Sequence, residues 1–136
     1  MKIFICCSKA FYGKISKIKS FLESKGHQIT LPNTFDDPSK EEKMKREGIN
    51  FHAKWKGEMI KESAQKIKEN DAILVLNFEK NNQPNYIGGA TFLEMYIAYE
   101  FNKKIYLYNP IPNNMLKDEI LGFSPKIING DLDKIR

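Results

Sequence analysis

At 136 residues, with 41% hydrophobic and 29% charged side chains, the chain is long enough for one core and too apolar for a disordered or fibrous protein. No apolar run approaches the roughly 18 residues that a membrane span needs, so no membrane is expected as a partner. Net charge is +5 and unevenly placed: residues 1–70 hold 15 basic and 9 acidic side chains, the rest 7 and 8. A basic half attracts phosphorylated small molecules or nucleic acid. The interleaving of Glu23, Glu47, Glu58, Glu62 and Glu69 with the lysines favours solvated helix faces instead, and a nucleic-acid polymer is not expected.

Ile3–Cys7 is a continuous apolar run, as for a strand buried on both faces. It is too short for a signal-peptide core and lacks a cleavage site, so a first strand is the expectation. Cys6 and Cys7 are the only cysteines. Neighbours in sequence pair only with strained geometry, so no disulfide framework is expected and the chain reads as cytoplasmic. After a loop at Ser8-Lys9-Ala10, Phe11, Ile15, Ile18 and Leu22 recur at helical spacing, and Gly26 stops the helix. Gln28–Leu31 is a short strand ended by Pro32. Asn33–Pro38 is a loop, and Ser39-Lys-Glu-Glu42 has the form of a capping box. A helical region follows to about Glu69, broken near Gly48, with Phe51, Trp55, Met59, Ile60 and Ile67 on one apolar face. Trp55 is read as core or oligomer interface rather than a ligand platform.

Asp71-Ala-Ile-Leu-Val-Leu-Asn77 has the character of a central parallel strand. Glu79–Gly89 is a polar loop, Thr91–Phe101 a helix, Lys104–Tyr108 a strand. Met115–Leu121 is a short helix and Lys126–Ile128 a last strand. Strands alternating with helices predict a single α/β domain over residues 1–136. Its sheet is doubly wound, flavodoxin-like or Rossmann-like, mostly parallel, of about five strands with helices on both faces. Ligands of such sheets bind beyond the carboxyl ends of the strands. The loops after Cys7, Asn77 and Tyr108 are therefore the candidate site, and Asp71 lies at the opposite edge with a structural role.

In the loop after Asn77, Gly88 and Gly89 permit close backbone approach and positive φ, and they lead into a helix N-terminus that favours an anion. Glu94 falls in the first turn of the expected helix, where the dipole keeps a carboxylate ionised, as a nucleophile requires. Thr91-Phe-Leu-Glu94 is equally a capping box, and on spacing alone that reading is preferred. Ser8 and Lys9 are placed to hold a phosphate or ribose hydroxyl, or are a solvated loop. They form no P-loop and no dinucleotide fingerprint. Tyr12 stacks on a base or packs, with packing favoured. Asn77 and Asn109 bond a ligand or shape turns, and Cys7 is read as a small core residue. His27 and His52 have no partners at metal-ligand spacing, so neither metal nor cofactor is expected. A receiver domain would want acids after the first strand. A flavodoxin would want a hydroxyl- and glycine-rich loop there, and Ser8-Lys9-Ala-Phe supplies neither.

Three stretches together resemble the nucleoside 2-deoxyribosyltransferase-like family. They are Asp71 to Asn77, Gly88-Gly89-Ala-Thr-Phe-Leu-Glu94-Met-Tyr-Ile-Ala98, and Lys103-Lys104-Ile-Tyr-Leu. Lys2-Ile-Phe-Ile is similar to that family's first strand. The resemblance implies that Glu94 attacks the anomeric carbon of a nucleoside or nucleotide and forms a covalent sugar ester, which water or a second base resolves. It also implies a homo-oligomer, with a dimer favoured. Two positions depart from the pattern. No acid stands among Tyr86, Ile87 and Gly88, and Phe4 replaces a strand tyrosine. These departures favour the alternative of a non-catalytic nucleotide-binding or sensor module.

Overall fold

The computed structural model describes residues 1–136. Its sheet has five parallel strands: β1 (Lys2–Cys6), β2 (Gln28–Thr30), β3 (Ala72–Val75), β4 (Lys104–Leu107) and β5 (Lys126–Ile127), in the order β2-β1-β3-β4-β5. The helices are α1 (Ile15–Ser24), α2 (Lys40–Glu47), α3 (Ile49–Glu69), α4 (Gly89–Glu100) and α5 (Lys117–Phe123), with 3-10 turns at Lys9–Lys14 and Leu132–Lys134. The fold is a doubly wound α/β sheet.

Strand periodicity explains the two layers. Alternate residues Ile3, Ile5, Ala72, Leu74 and Tyr106 pack on one face with Ile15, Ile18 and Leu22 of α1. Phe4, Cys6, Ile73, Val75, Ile105 and Leu107 pack on the other with Ile67 of α3, Met95 and Ala98 of α4, and Ile120 of α5. Because both faces are covered, β1 and β3 read as unbroken apolar runs. No helix is long and apolar enough to cross a membrane.

Several local expectations change. The long helical region breaks at Gly48, as its sequence suggests, and the reason is backbone geometry: Gly48 has φ 122° and ψ 161°, which a side chain would strain. Ser39 starts α2 but makes no capping bond; its hydroxyl donates to Asp37 Oδ1 at 3.1 Å. Phe51 is 61% exposed and does not belong to the buried face of α3. The helix α4 begins at Gly89 rather than Thr91, with Gly88 as its N-cap. Gly88 keeps an ordinary extended conformation at φ −83°, and the positive φ values in this loop fall on Asn81, Asn82 and Asn85. Asp71, at the amino edge, accepts the Lys2 backbone N–H at 2.7 Å, so its role is to tie β1 to the start of β3.

Candidate functional site

The strand order reverses between β1 and β3, and a cavity of about 280 Å³ opens beyond their carboxyl ends. Four segments build it. The chain after β1 gives Cys7, Ser8, Lys9 and Tyr12. The loop after β2 gives Asn33 and Thr34. The helices α2 and α3 give Glu41, Trp55, Lys56, Met59, Ile60 and Ser63. The loop before α4 and its first turns give Lys80, Tyr86, Gly88, Gly89, Thr91 and Glu94. Apolar and aromatic side chains share its wall with lysines and hydroxyls, a lining that suits a small amphipathic ligand.

Of the residues singled out in the sequence, Ser8, Lys9, Tyr12, Gly88, Gly89 and Glu94 line this cavity together. Asn77 and Asn109 do not. Asn77 is fully buried; its Nδ2 donates to the carbonyls of Asn109 at 3.1 Å and Pro110 at 3.0 Å, and its Oδ1 accepts the Asn109 N–H at 2.8 Å. Asn109 Nδ2 returns a bond to the Asn77 carbonyl at 3.1 Å. The two asparagines staple β3 to β4 and have little left to offer a ligand. Tyr12 packs on the cavity wall: its ring lies 5.7 Å from Phe35 and its hydroxyl pairs with Thr34 Oγ1 at 2.8 Å. Cys7, expected in the core, sits partly exposed on the cavity wall, with its thiol pushed up to about 12 by burial and then by the nearby Glu94 charge.

Glu94 meets neither the first-turn placement nor the capping box expected from the sequence. Because α4 starts at Gly89, Glu94 is its sixth residue and falls in the second turn. Thr91 is inside the helix and buried, so no capping box exists, and the helix has no side-chain cap. The macrodipole fades beyond the first turn. Desolvation wins, and the carboxyl is pushed up to about 7. The nearby Ser63 hydroxyl, Lys66 charge, Cys6 thiol and Lys56 charge oppose that rise without cancelling it. Lys66 is itself pinned by the Leu31 carbonyl at 3.0 Å and lies 5.6 Å above the Phe4 ring. The Phe4 ring thus supports a cation whose charge reaches Glu94.

The other charges are distributed around the mouth. Lys80 Nζ donates to Ser8 Oγ at 3.3 Å and lies 4.8 Å over the Tyr86 ring, which brings the loop before α4 against the loop after β1. Gly88 permits this: a Cβ there would meet the Tyr86 hydroxyl at 3.3 Å. Lys9 pairs with Glu42. Glu41, a second acid of the cavity, is tied to His52 Nε2 at 2.9 Å and Lys56 Nζ at 3.1 Å, and these bonds hold its carboxyl below the usual range although burial pulls the other way. No cluster of three or more His, Cys, Asp or Glu side chains is placed to hold a metal.

Trp55, Lys56, Met59, Ser63, Lys80 and Tyr86 were not legible as site residues. One signal existed. Trp55, Met59, Ser63 and Ile67 recur every fourth residue along α3, so Ser63 is a polar residue in an apolar stripe, and it is 6% exposed.

No family model matches the chain, and neither does any curated protein. Among solved structures, the fold matches the CMP N-glycosidase BcmB of Clostridium botulinum, with a TM-score of 0.58 over 99% of this chain and 98% of that one, at 18% sequence identity. At that identity the likeness establishes the fold alone.

Proposed function

We propose that this chain cleaves the N-glycosidic bond of a nucleoside or nucleotide, with Glu94 as the nucleophile. The observation that carries the reading is the position of the Glu94 carboxyl. It stands on the wall of the switch-point cavity and is not spent on its own backbone. The fold shared with a CMP N-glycosidase supports the same substrate class.

The chemistry follows from the geometry. In its ionised form Glu94 attacks the anomeric carbon, and the C1′–N electron pair leaves with the base, which takes a proton from water. A sugar ester on Glu94 remains. Water hydrolyses it and returns the carboxylate, as in retaining glycosidases. A carboxyl near 7 is about half ionised at neutral pH, so the nucleophilic form is available and its basicity is higher than that of an exposed glutamate. Lys80, Lys9 and Ser8 would receive a 5′-phosphate, and Trp55, Met59 and Tyr12 the apolar face of the base.

Incubation with CMP and dCMP tests this. Free cytosine, followed by chromatography, is expected from the wild type and is expected to fall at least about a thousandfold in Glu94→Ala. Release at the wild-type rate by that variant removes Glu94 from the chemistry. A binding module is the second reading, because the one other acid of the cavity, Glu41, is engaged by His52 and Lys56 and offers no free proton to a leaving base. Nucleotide binding by calorimetry without any base release would establish that reading instead.

A further inference from the structure

Most of the positive charge on the cavity wall is already neutralised. Three cations line the cavity: Lys9, Lys56 and Lys80. Two of them are held by acids of α2. Lys9 pairs with Glu42, and Lys56 Nζ donates to Glu41 Oε2 at 3.1 Å. Lys80 pairs with no carboxylate. Its ammonium has one protein acceptor, Ser8 Oγ at 3.3 Å, and lies 4.8 Å over the Tyr86 ring. An ammonium carries three hydrogens, so two of these are unspent on hydrogen bonds within the protein. Ser8 is in a similar state. Its Oγ accepts from Lys80 and, at 3.3 Å, from the Ala10 N–H, which uses both lone pairs, while its own hydrogen has no protein acceptor. Lys80 and Ser8 therefore carry unspent donors side by side on the cavity wall. A group with several anionic oxygens satisfies both the donors and the charge; a neutral sugar hydroxyl leaves the charge unmatched.

We propose that Lys80 is the specificity-determining residue of this site: it makes a nucleoside 5′-phosphate, rather than the free nucleoside, the preferred ligand, while Glu41 and Glu42 of α2 hold Lys56 and Lys9 back from the phosphate. The inference rests on the reading of this cavity as a nucleoside or nucleotide site, and it does not depend on Glu94 as the nucleophile. Topology supports it. Lys80 follows β3 and Ser8 follows β1, the two strands between which the sheet order reverses, so the pair straddles the switch point.

A Lys80 that merely latched two loops together would behave otherwise. Its loss would disturb the cavity for nucleoside and nucleotide alike.

The test is calorimetry at about pH 7.5 and fixed ionic strength, with CMP, UMP, AMP and GMP and the four matching nucleosides. The readout is the ratio of nucleotide to nucleoside affinity for the base that binds best. The wild type is expected to favour the nucleotide by about tenfold or more. Lys80→Met is expected to lower the ratio by about tenfold or more, the worth of a hydrogen bond to a charged group. Lys80→Arg keeps the charge and is expected to stay within about fivefold of the wild type. Glu42→Gln releases Lys9 and is expected to raise the ratio about two- to fivefold, the scale of an exposed ion pair. A wild-type ratio near one, equal losses of nucleotide and nucleoside in Lys80→Met, or a ratio unmoved or lowered in Glu42→Gln overturns the proposal, as does binding of none of the eight ligands. If Lys80→Met does not fold, Lys80→Gln is read by the same ratio. Base release without any preference for nucleotides keeps Glu94 as the nucleophile and removes Lys80 from specificity. Absence of base release alongside the expected ratios removes the catalytic reading of Glu94 and leaves the role of Lys80 standing.

Discussion

Glu94 sets up a conflict between stability and chemistry that a single isosteric change exposes. Its carboxyl titrates at about 7 in the folded chain against 4.5 for an ordinary glutamate. The folded state therefore binds this proton more tightly than the unfolded chain. The resulting stabilisation is complete below about pH 4.5 and is lost as pH rises through about 7. The full shift corresponds to about 3 kcal/mol. Glu94 is only partly buried, and solvent screening reduces the expectation to about 1–3 kcal/mol. Glu94→Gln removes the ionisation while keeping the shape. It is expected to match the wild type near pH 4.5 and to be more stable by about 1–3 kcal/mol at pH 8.5. For a chain of this length that is a rise in Tm of roughly 3–10 °C. Differential scanning calorimetry of both proteins from pH 4.5 to 8.5 measures it. Glu41 and the other titrating groups are common to both proteins and cancel in the difference. A gap in Tm that is flat across this range, or that widens toward acid, refutes the desolvated carboxylate.

Asn77→Ala is expected to cost about 2–4 kcal/mol in urea denaturation, because it leaves the Asn109 N–H and the Asn109 and Pro110 carbonyls without their partner in a buried setting, while nucleotide affinity of the folded variant stays unchanged. The single tryptophan, Trp55, is 8% exposed and lines the cavity, so titration with CMP is expected to change its emission, an effect absent in Trp55→Phe. Cys7, with its thiol pushed up to about 12, is expected to alkylate with iodoacetamide at pH 8 on the order of a thousandfold more slowly than a free thiol, as followed by mass spectrometry.

The sequence by itself determined the architecture, because the signals are local. A strand covered on both faces must be apolar at every position, which marks Ile3–Cys6 and Ala72–Val75, and a helix on a sheet must repeat every three to four residues, which marks Ile15, Ile18 and Leu22. Knowing the winding, the carboxyl edge and the loops after Cys7 and Asn77 followed as the place for a ligand. Tertiary structure alone decided which side chains reach that place and in what state. Two residues of difference in the start of α4 moved Glu94 from the first turn to the second and took it out of the dipole's field. Asn77 and Asn109 face each other across two strands that are distant in sequence, so their mutual bonds were invisible along the chain. Ser63, Lys56 and Trp55 enter the cavity because α3 packs beside α4. Charge state and hydrogen-bond direction depend on how many segments converge on one point and exclude water there, and no spacing within a single segment records that convergence.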